Sequence, residues 1–148
     1  MGLFDKALGK KDEGPINFNQ QEAFSAVCMM AVAADGVLEK EEATRVVTSL
    51  AEKRLFKGYN LDSLVSLLNN SAKIVQRRGT GPVMEAARKS LTQDQRETAF
   101  AMAVDLVLSD GDVDPKEKAF LEEFQKTLGI PDELALKIAE VTMIKNRN

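Results

Sequence analysis

Two long apolar runs, each closed by Asp-Gly, dominate the pattern of hydrophobic and polar positions. From Phe24 to Ala34 only Ser25 is polar, and between Ala99 and Leu108 only Asp105 is. A helix apolar on nearly every face has to lie at the centre of a bundle. The first run predicts a helix over about 20–34, N-capped by Asn17 or Asn19 with Gln20 or Glu22 in the reciprocal place of a capping box. The second predicts a helix over about 95–109, opened by a capping box of Thr92 and Gln95. Gly36 ends the first, because glycine takes a left-handed backbone without a Cβ clash.

The rest of the chain also reads at helical spacing. Ala43, Val46, Val47, Leu50 and Ala51 predict a helix over about 39–56. Lys57 to Asn60 is a turn, and Asn60 caps a helix to about 78 with Leu61, Leu64, Val65, Leu68 and Ala72 inside. Gly79-Thr80-Gly81-Pro82 breaks the chain before a short helix over about 83–89. Asp114 is the N-cap of the next helix, with Pro115 at its first position, where the missing N–H costs nothing. It carries Phe120, Leu121, Phe124 and Leu128, and Gly129 stops it. Pro131 opens the last helix, with Leu134, Leu136, Ile138, Ala139 and Val141. No alternating stretch is long enough for a strand. The expected fold is all-α, a compact bundle of about seven helices over residues 17–148. Residues 1–16 precede it as a short amphipathic turn, with Leu3, Phe4, Ala7 and Leu8 on one side, and a polar linker.

The two apolar runs belong to one pattern used twice. Asp35 and Asp110 are 75 positions apart; at that offset Gly36 meets Gly111, Leu38 meets Val113, Glu39 meets Asp114 and Glu42 meets Glu117. Each copy is an apolar helix, an Asp-Gly loop, an aliphatic expected to be buried, and two acids three apart. The bundle is thus expected to consist of two pseudo-repeated helix–loop–helix units. Three helices with short connections separate the central pair, and short connections make consecutive helices antiparallel. The central helices should therefore run parallel, with both acidic loops at one end.

Composition narrows the chemistry. The chain has 148 residues, a net charge of −3 and no histidine. That size suits one domain with a proper core. The acidic balance argues against nucleic acid, whose binders carry basic patches; Lys73, Arg77 and Arg78 read as a solvated helix end. Without histidine there is no His-based triad or zinc site. No nucleophile with its base and no phosphate-binding glycine loop can be placed, so an enzyme is not expected. Cys28 is the one cysteine and reads as a buried small hydrophobe. No apolar stretch reaches membrane-spanning length, no signal peptide is visible, and Lys6 breaks the pattern for myristoylation at Gly2. A cytoplasmic protein is expected.

The acidic loops admit two readings. Asp110, Asp112, Asp114 and Glu117 fall within eight residues, and hard cations such as Ca²⁺, Mg²⁺ or Mn²⁺ take clustered carboxylate oxygens. Asp35, Glu39 and Glu42 are the counterparts in the first copy, weaker because Val37 stands where the second has Asp112. The second loop is not an EF-hand: its sixth position is Pro115 rather than glycine and its twelfth Leu121 rather than glutamate. The other reading is helix capping, since Asp114 and Glu117 form a capping box and acids favour a helix N-terminus. Glu39 is a poor cap, which favours a need for charge there. Asp105, alone in its apolar helix, needs a partner: an ion pair with Lys or Arg, or a place beside a metal or partner site.

These residues also carry a family resemblance. The start GLFDKALG, the phrase AVCMMAVAADGV and the repeated D-G-x-aliphatic-x-x-x-E pattern resemble the TerB family of tellurite-resistance proteins over nearly the whole chain. The resemblance implies a bacterial all-helical domain whose acids are suspected of binding divalent metal. It implies partners among other tellurium-resistance proteins and action in a stress response at the inner-membrane periphery. The alternative is a metal-independent interaction module using the acidic face.

Overall fold

Four of the longer helices start where a side chain supplies the partner that the first-turn amides lack. Asn19 Oδ1 accepts from Glu22 N–H at 2.7 Å while Glu22 Oε1 accepts from Asn19 N–H at 2.9 Å. The same reciprocal box joins Asn60 to Ser63, Thr92 to Gln95 and Asp114 to Glu117. The structure, a computed structural model, describes residues 14–109 and 113–147. They form α1 (Gln20–Val32), α2 (Lys40–Ala51), a 3-10 turn (Arg54–Phe56), α3 (Leu61–Arg78), α4 (Thr80–Ser90), α5 (Gln93–Val107), α6 (Pro115–Leu128) and α7 (Asp132–Asn146). Among the described residues there is no strand, and the fold is an all-α bundle of seven helices.

Every residue of α1 from Ala23 to Met30 is buried. Helices α2, α3, α4 and α5 all pack against it, and its contact with α5 is the most extensive between any two helices. Phe24, Val27 and Met30 meet Phe100, Val104 and Val107 in one continuous core; Ala31, also expected there, is half-buried. The two central helices run parallel. Phe24 near the start of α1 shares a cavity with Asp94 and Gln95 at the start of α5, and Ala31 and Val32 share another with Leu106 and Val107. The loops that follow α1 and α5 therefore leave from the same end, as the count of antiparallel helices requires.

Several boundaries differ from the sequence reading. The second helix ends at Ala51 rather than near Phe56. Continued as a helix, Phe56 would stand about 240° round the axis from Leu50, away from the core, at roughly 100° per residue. The chain instead turns extended at Lys53 and makes a 3-10 turn that buries Phe56 edge-on against Phe24 and Tyr59, with ring centroids 5.8 and 5.5 Å away. Helix α4 begins at Thr80, not after Pro82. Proline is tolerated in a first turn because no intrahelical hydrogen bond needs its N–H. Leu61 and Val65, expected inside α3, are exposed, as are Leu136 and Val141 of α7. Of the two aliphatics after the Asp-Gly breaks, Leu38 is half-buried against the core, while Val113 is exposed. The amphipathic pattern at residues 2–8 lies outside the described residues.

Gly36 shows why the first break needs glycine. Its φ is +81°, and a Cβ there would come within 2.8 Å of the Ala72 carbonyl oxygen and 2.7 Å of Gln76 Cγ on α3. Gln76 Nε2 donates to the Gly36 carbonyl at 2.7 Å, so the loop is docked on α3 as well as turned. Gly36→Ala is expected to cost at least about 1–2 kcal/mol from the backbone conformation alone, with the clash on the Ala72 carbonyl added; chemical denaturation checks it.

Cys28 sits at the middle of α1, wholly buried, and burial pushes its thiol up to about 12 against the opposing pull of Lys53. A thiol-specific reagent is expected to label native protein only at the rate of unfolding. The sign of the pH effect follows from linkage: the unfolded thiol ionises from about 9.0 while the folded thiol stays protonated, so stability should fall as pH rises from 9 toward 12. Denaturation of wild type and Cys28→Ser across that range checks it, the variant lacking this component.

Candidate functional site

The first acidic loop is built from its own backbone. Asp35 Oδ1 accepts from Val37 N–H at 2.9 Å, which folds the chain back before α2. Glu39 then stands at the N-cap of α2, and Glu42 Oε1 accepts the Glu39 N–H at 3.0 Å. At the second loop, Asp114 Oδ1 accepts from Glu117 N–H at 2.8 Å and Glu117 Oε1 accepts from Asp114 N–H at 3.2 Å. Four of the acids singled out from the sequence thus have capping positions in the structure. A carboxylate offers more lone pairs than one amide uses, so capping leaves acceptor capacity on each. Asp110 and Asp112 lie outside the described residues.

Glu42 and Glu117 come together. A polar cavity of about 170 Å³ opens between the ends of α1 and α5 and the starts of α2 and α6. Its walls pair across the 75-residue offset: Ala31 with Leu106, Val32 with Val107, and Glu42 with Glu117. Asp35, Glu39 and Asp114 are not among its walls. Among the described residues, no group of three or more acidic, histidine or cysteine side chains is gathered closely enough to hold a metal ion.

A third charge completes the cavity. Arg45 lies one turn along α2 from Glu42, and its Nη1 donates to the Leu106 carbonyl at 3.2 Å and to Ser109 Oγ. Ser109 Oγ in turn donates to the Leu106 carbonyl at 3.0 Å. The guanidinium thus sits at the C-terminal end of α5, where unpaired carbonyls and the helix dipole favour a cation. Sequence reasoning missed Arg45. Its signal is a departure from the repeat, because the position 75 residues later is Phe120. The oxygens of Glu42, Glu117 and Ser109 suit a hard cation in type, and the cavity has room for an ion with some of its water. The guanidinium acts against that fit by Coulomb repulsion, so a cation entering here competes with Arg45.

Asp105 lies away from this cavity, on the face of α5 that meets α7. Lys145 Nζ is 3.0 Å from Asp105 Oδ1, and Asn146 Nδ2 donates to the same oxygen at 3.3 Å. Asn146 Nδ2 also donates to the Leu108 carbonyl at 3.4 Å. Of the alternatives open for Asp105, the structure displays an ion pair. Both partners are substantially exposed, and such pairs contribute modestly, about 0.2–1 kcal/mol.

Comparison with known proteins places this geometry in a family. No curated protein and no solved structure matches the chain significantly. The family model described as tellurite resistance protein TerB matches residues 21–139, which takes in α1 to α6, both acidic loops and the first half of α7. A match over that share of the sequence establishes membership: the chain belongs to the TerB family.

Proposed function

We propose that this TerB-family protein acts in a tellurite-resistance-related stress response by binding a divalent cation, Ca²⁺, Mg²⁺ or Mn²⁺, at the end of the bundle where its two acidic loops emerge. The observation that carries the reading is the convergence of Glu42 and Glu117, one from each copy of the repeat, on one polar cavity. Two carboxylates on a shared cavity concentrate negative potential, which draws cations from solution. Asp110 and Asp112 adjoin Glu117 in sequence and would add oxygen ligands, while Asp35, Glu39 and Asp114, outside the cavity walls, would strengthen the negative field at this end. In this reading the protein is a binding protein rather than an enzyme. Its partners would be other tellurium-resistance proteins, met in the cytoplasm or at the inner-membrane periphery; no described helix is long and apolar enough to cross a membrane.

A second reading rests on Arg45. The guanidinium already lines the cavity with the two glutamates, and the acids have a capping role without any ion. The acidic end would then be a metal-independent docking face for a basic partner protein.

Calorimetric titration with Ca²⁺, Mg²⁺ and Mn²⁺ separates the two. Under the first reading wild type binds at least one of them, and Glu117→Gln, which keeps a hydrogen-bonding side chain and removes the charge, weakens binding by at least about tenfold, since even outer-shell changes at metal sites cost about 10–100-fold. Glu42→Gln is expected to weaken it as well, but less. Wild-type protein that releases or takes up no heat with any of the three cations sinks this reading and leaves the docking face. Binding that persists unchanged in Glu117→Gln leaves capping as the role of that residue.

A further inference from the structure

At the opposite side of α5 from α1, a groove runs between α5, α6 and α7 with a volume of about 590 Å³. Val104, Leu108, Val113, Leu121, Leu136 and Met143 line it. Its apolar surface faces water: Leu136 and Met143 are each 61% exposed and Val113 is 42% exposed. Isolated exposed aliphatics are ordinary, but a contiguous apolar groove of this size marks a place where something docks.

We propose that the occupant is the chain's own segment 2–8, and that the groove is its intramolecular seat. Leu3, Phe4, Ala7 and Leu8 repeat at helical spacing, so one turn of helix would present all four on one side. A helix that short does not hold itself together in water and needs a surface to order it. Charge sets no barrier: Glu122 and Asp132 stand at the groove with Lys118, and the segment and its linker carry Lys6, Lys10 and Lys11 against Asp5, Asp12 and Glu13.

The reach is sufficient. Among the described residues, Ile16 is the first packed against the core, ahead of α1. The start of α1 lies at the same end as the start of α5, because Phe24 and Asp94 line one cavity. The start of α7 is at that end too, since Asp94 and Leu134 line another, and the Gly129 carbonyl before α7 accepts from Gln93 Nε2. The eight residues from Leu8 to Ile16 span up to about 26–29 Å extended. Crossing from α1 over α5 to α7 takes two interhelical spacings, roughly 16–20 Å. Tethered so closely, the segment meets the groove at an effective concentration in the millimolar range, which weak apolar contacts can use.

The chain has no tryptophan, so Phe4→Trp places a single reporter on the segment. In the full chain its emission is expected to be blue-shifted and shielded from acrylamide, independently of protein concentration. Leu136→Asp or Met143→Asp in the same background should return it to solvent-like emission. Both groove residues are exposed, so the substitutions leave the core intact, and unchanged far-ultraviolet circular dichroism verifies that. Solvent-like emission before any groove substitution overturns the proposal. So does a blue shift indifferent to both groove substitutions, one that disappears on dilution, which makes a second copy the partner, or one that arises only with phosphatidylglycerol vesicles. None of these outcomes depends on whether a cation binds at the other site.

Discussion

A helix that is apolar on every side cannot face water anywhere, and α1 imposes that requirement on the whole chain. With its residues from Ala23 to Met30 all buried, it needs cover on every face, and α2, α3, α4 and α5 provide it. The other elements then have secondary tasks. Helix α6 packs on α4 and α5, and α7 completes the far side of α5. The 3-10 turn exists because Phe56 is required against Phe24 and a continuous α2 would aim it elsewhere. The docking of Gly36 on α3 follows from the same arrangement: α3 lies so close to the end of α1 that the exit loop has room for backbone only.

At the end where both central helices finish, backbone carbonyls need partners, and side chains from distant elements supply them. Arg45 of α2 takes the Leu106 carbonyl, and Asn146 of α7 takes that of Leu108. The acidic end is thus stitched across more than a hundred positions of sequence while also being the place where Glu42 and Glu117 converge. Caps, closure of the helix end and concentrated charge share the same few side chains. A substitution there is therefore informative only when stability and binding are measured together.

The fold was largely legible because its strongest signals are local. Unbroken apolar runs, Asx and Thr caps, and Asp-Gly or Gly-Pro breaks act through a few neighbouring residues and do not wait on tertiary structure. The parallel orientation of α1 and α5 was readable from counting short connections. What escaped was set by contacts remote in sequence. The break after Ala51 depends on where Phe24 stands, and the exposure of Leu61, Val65 and Leu136 is a matter of tertiary packing that helical spacing does not encode. At the candidate site, Glu42 and Glu117 stood out as repeated acids, yet their convergence on one cavity needed the packing of helices far apart in the chain. Arg45 escaped because an arginine on an amphipathic helix normally points to solvent; its attachment to Leu106 lies 61 positions away.

The parallel pairing of α1 with α5 also shapes how the chain can be made. Helix α1 is complete at Val32, whereas its most extensive partner is not complete until Val107, 75 residues later. At about 5–20 residues per second of synthesis, that gap lasts roughly 4–15 s. During that interval a segment with scarcely a polar side chain leaves the ribosome without its principal cover. Pairings so remote also slow folding, because the loop between them has to close before any burial rewards it. The centre of the finished bundle is therefore, while the protein is being born, its most adhesive part, and the period of greatest exposure to misassembly or chaperone capture ends only as the fifth helix emerges.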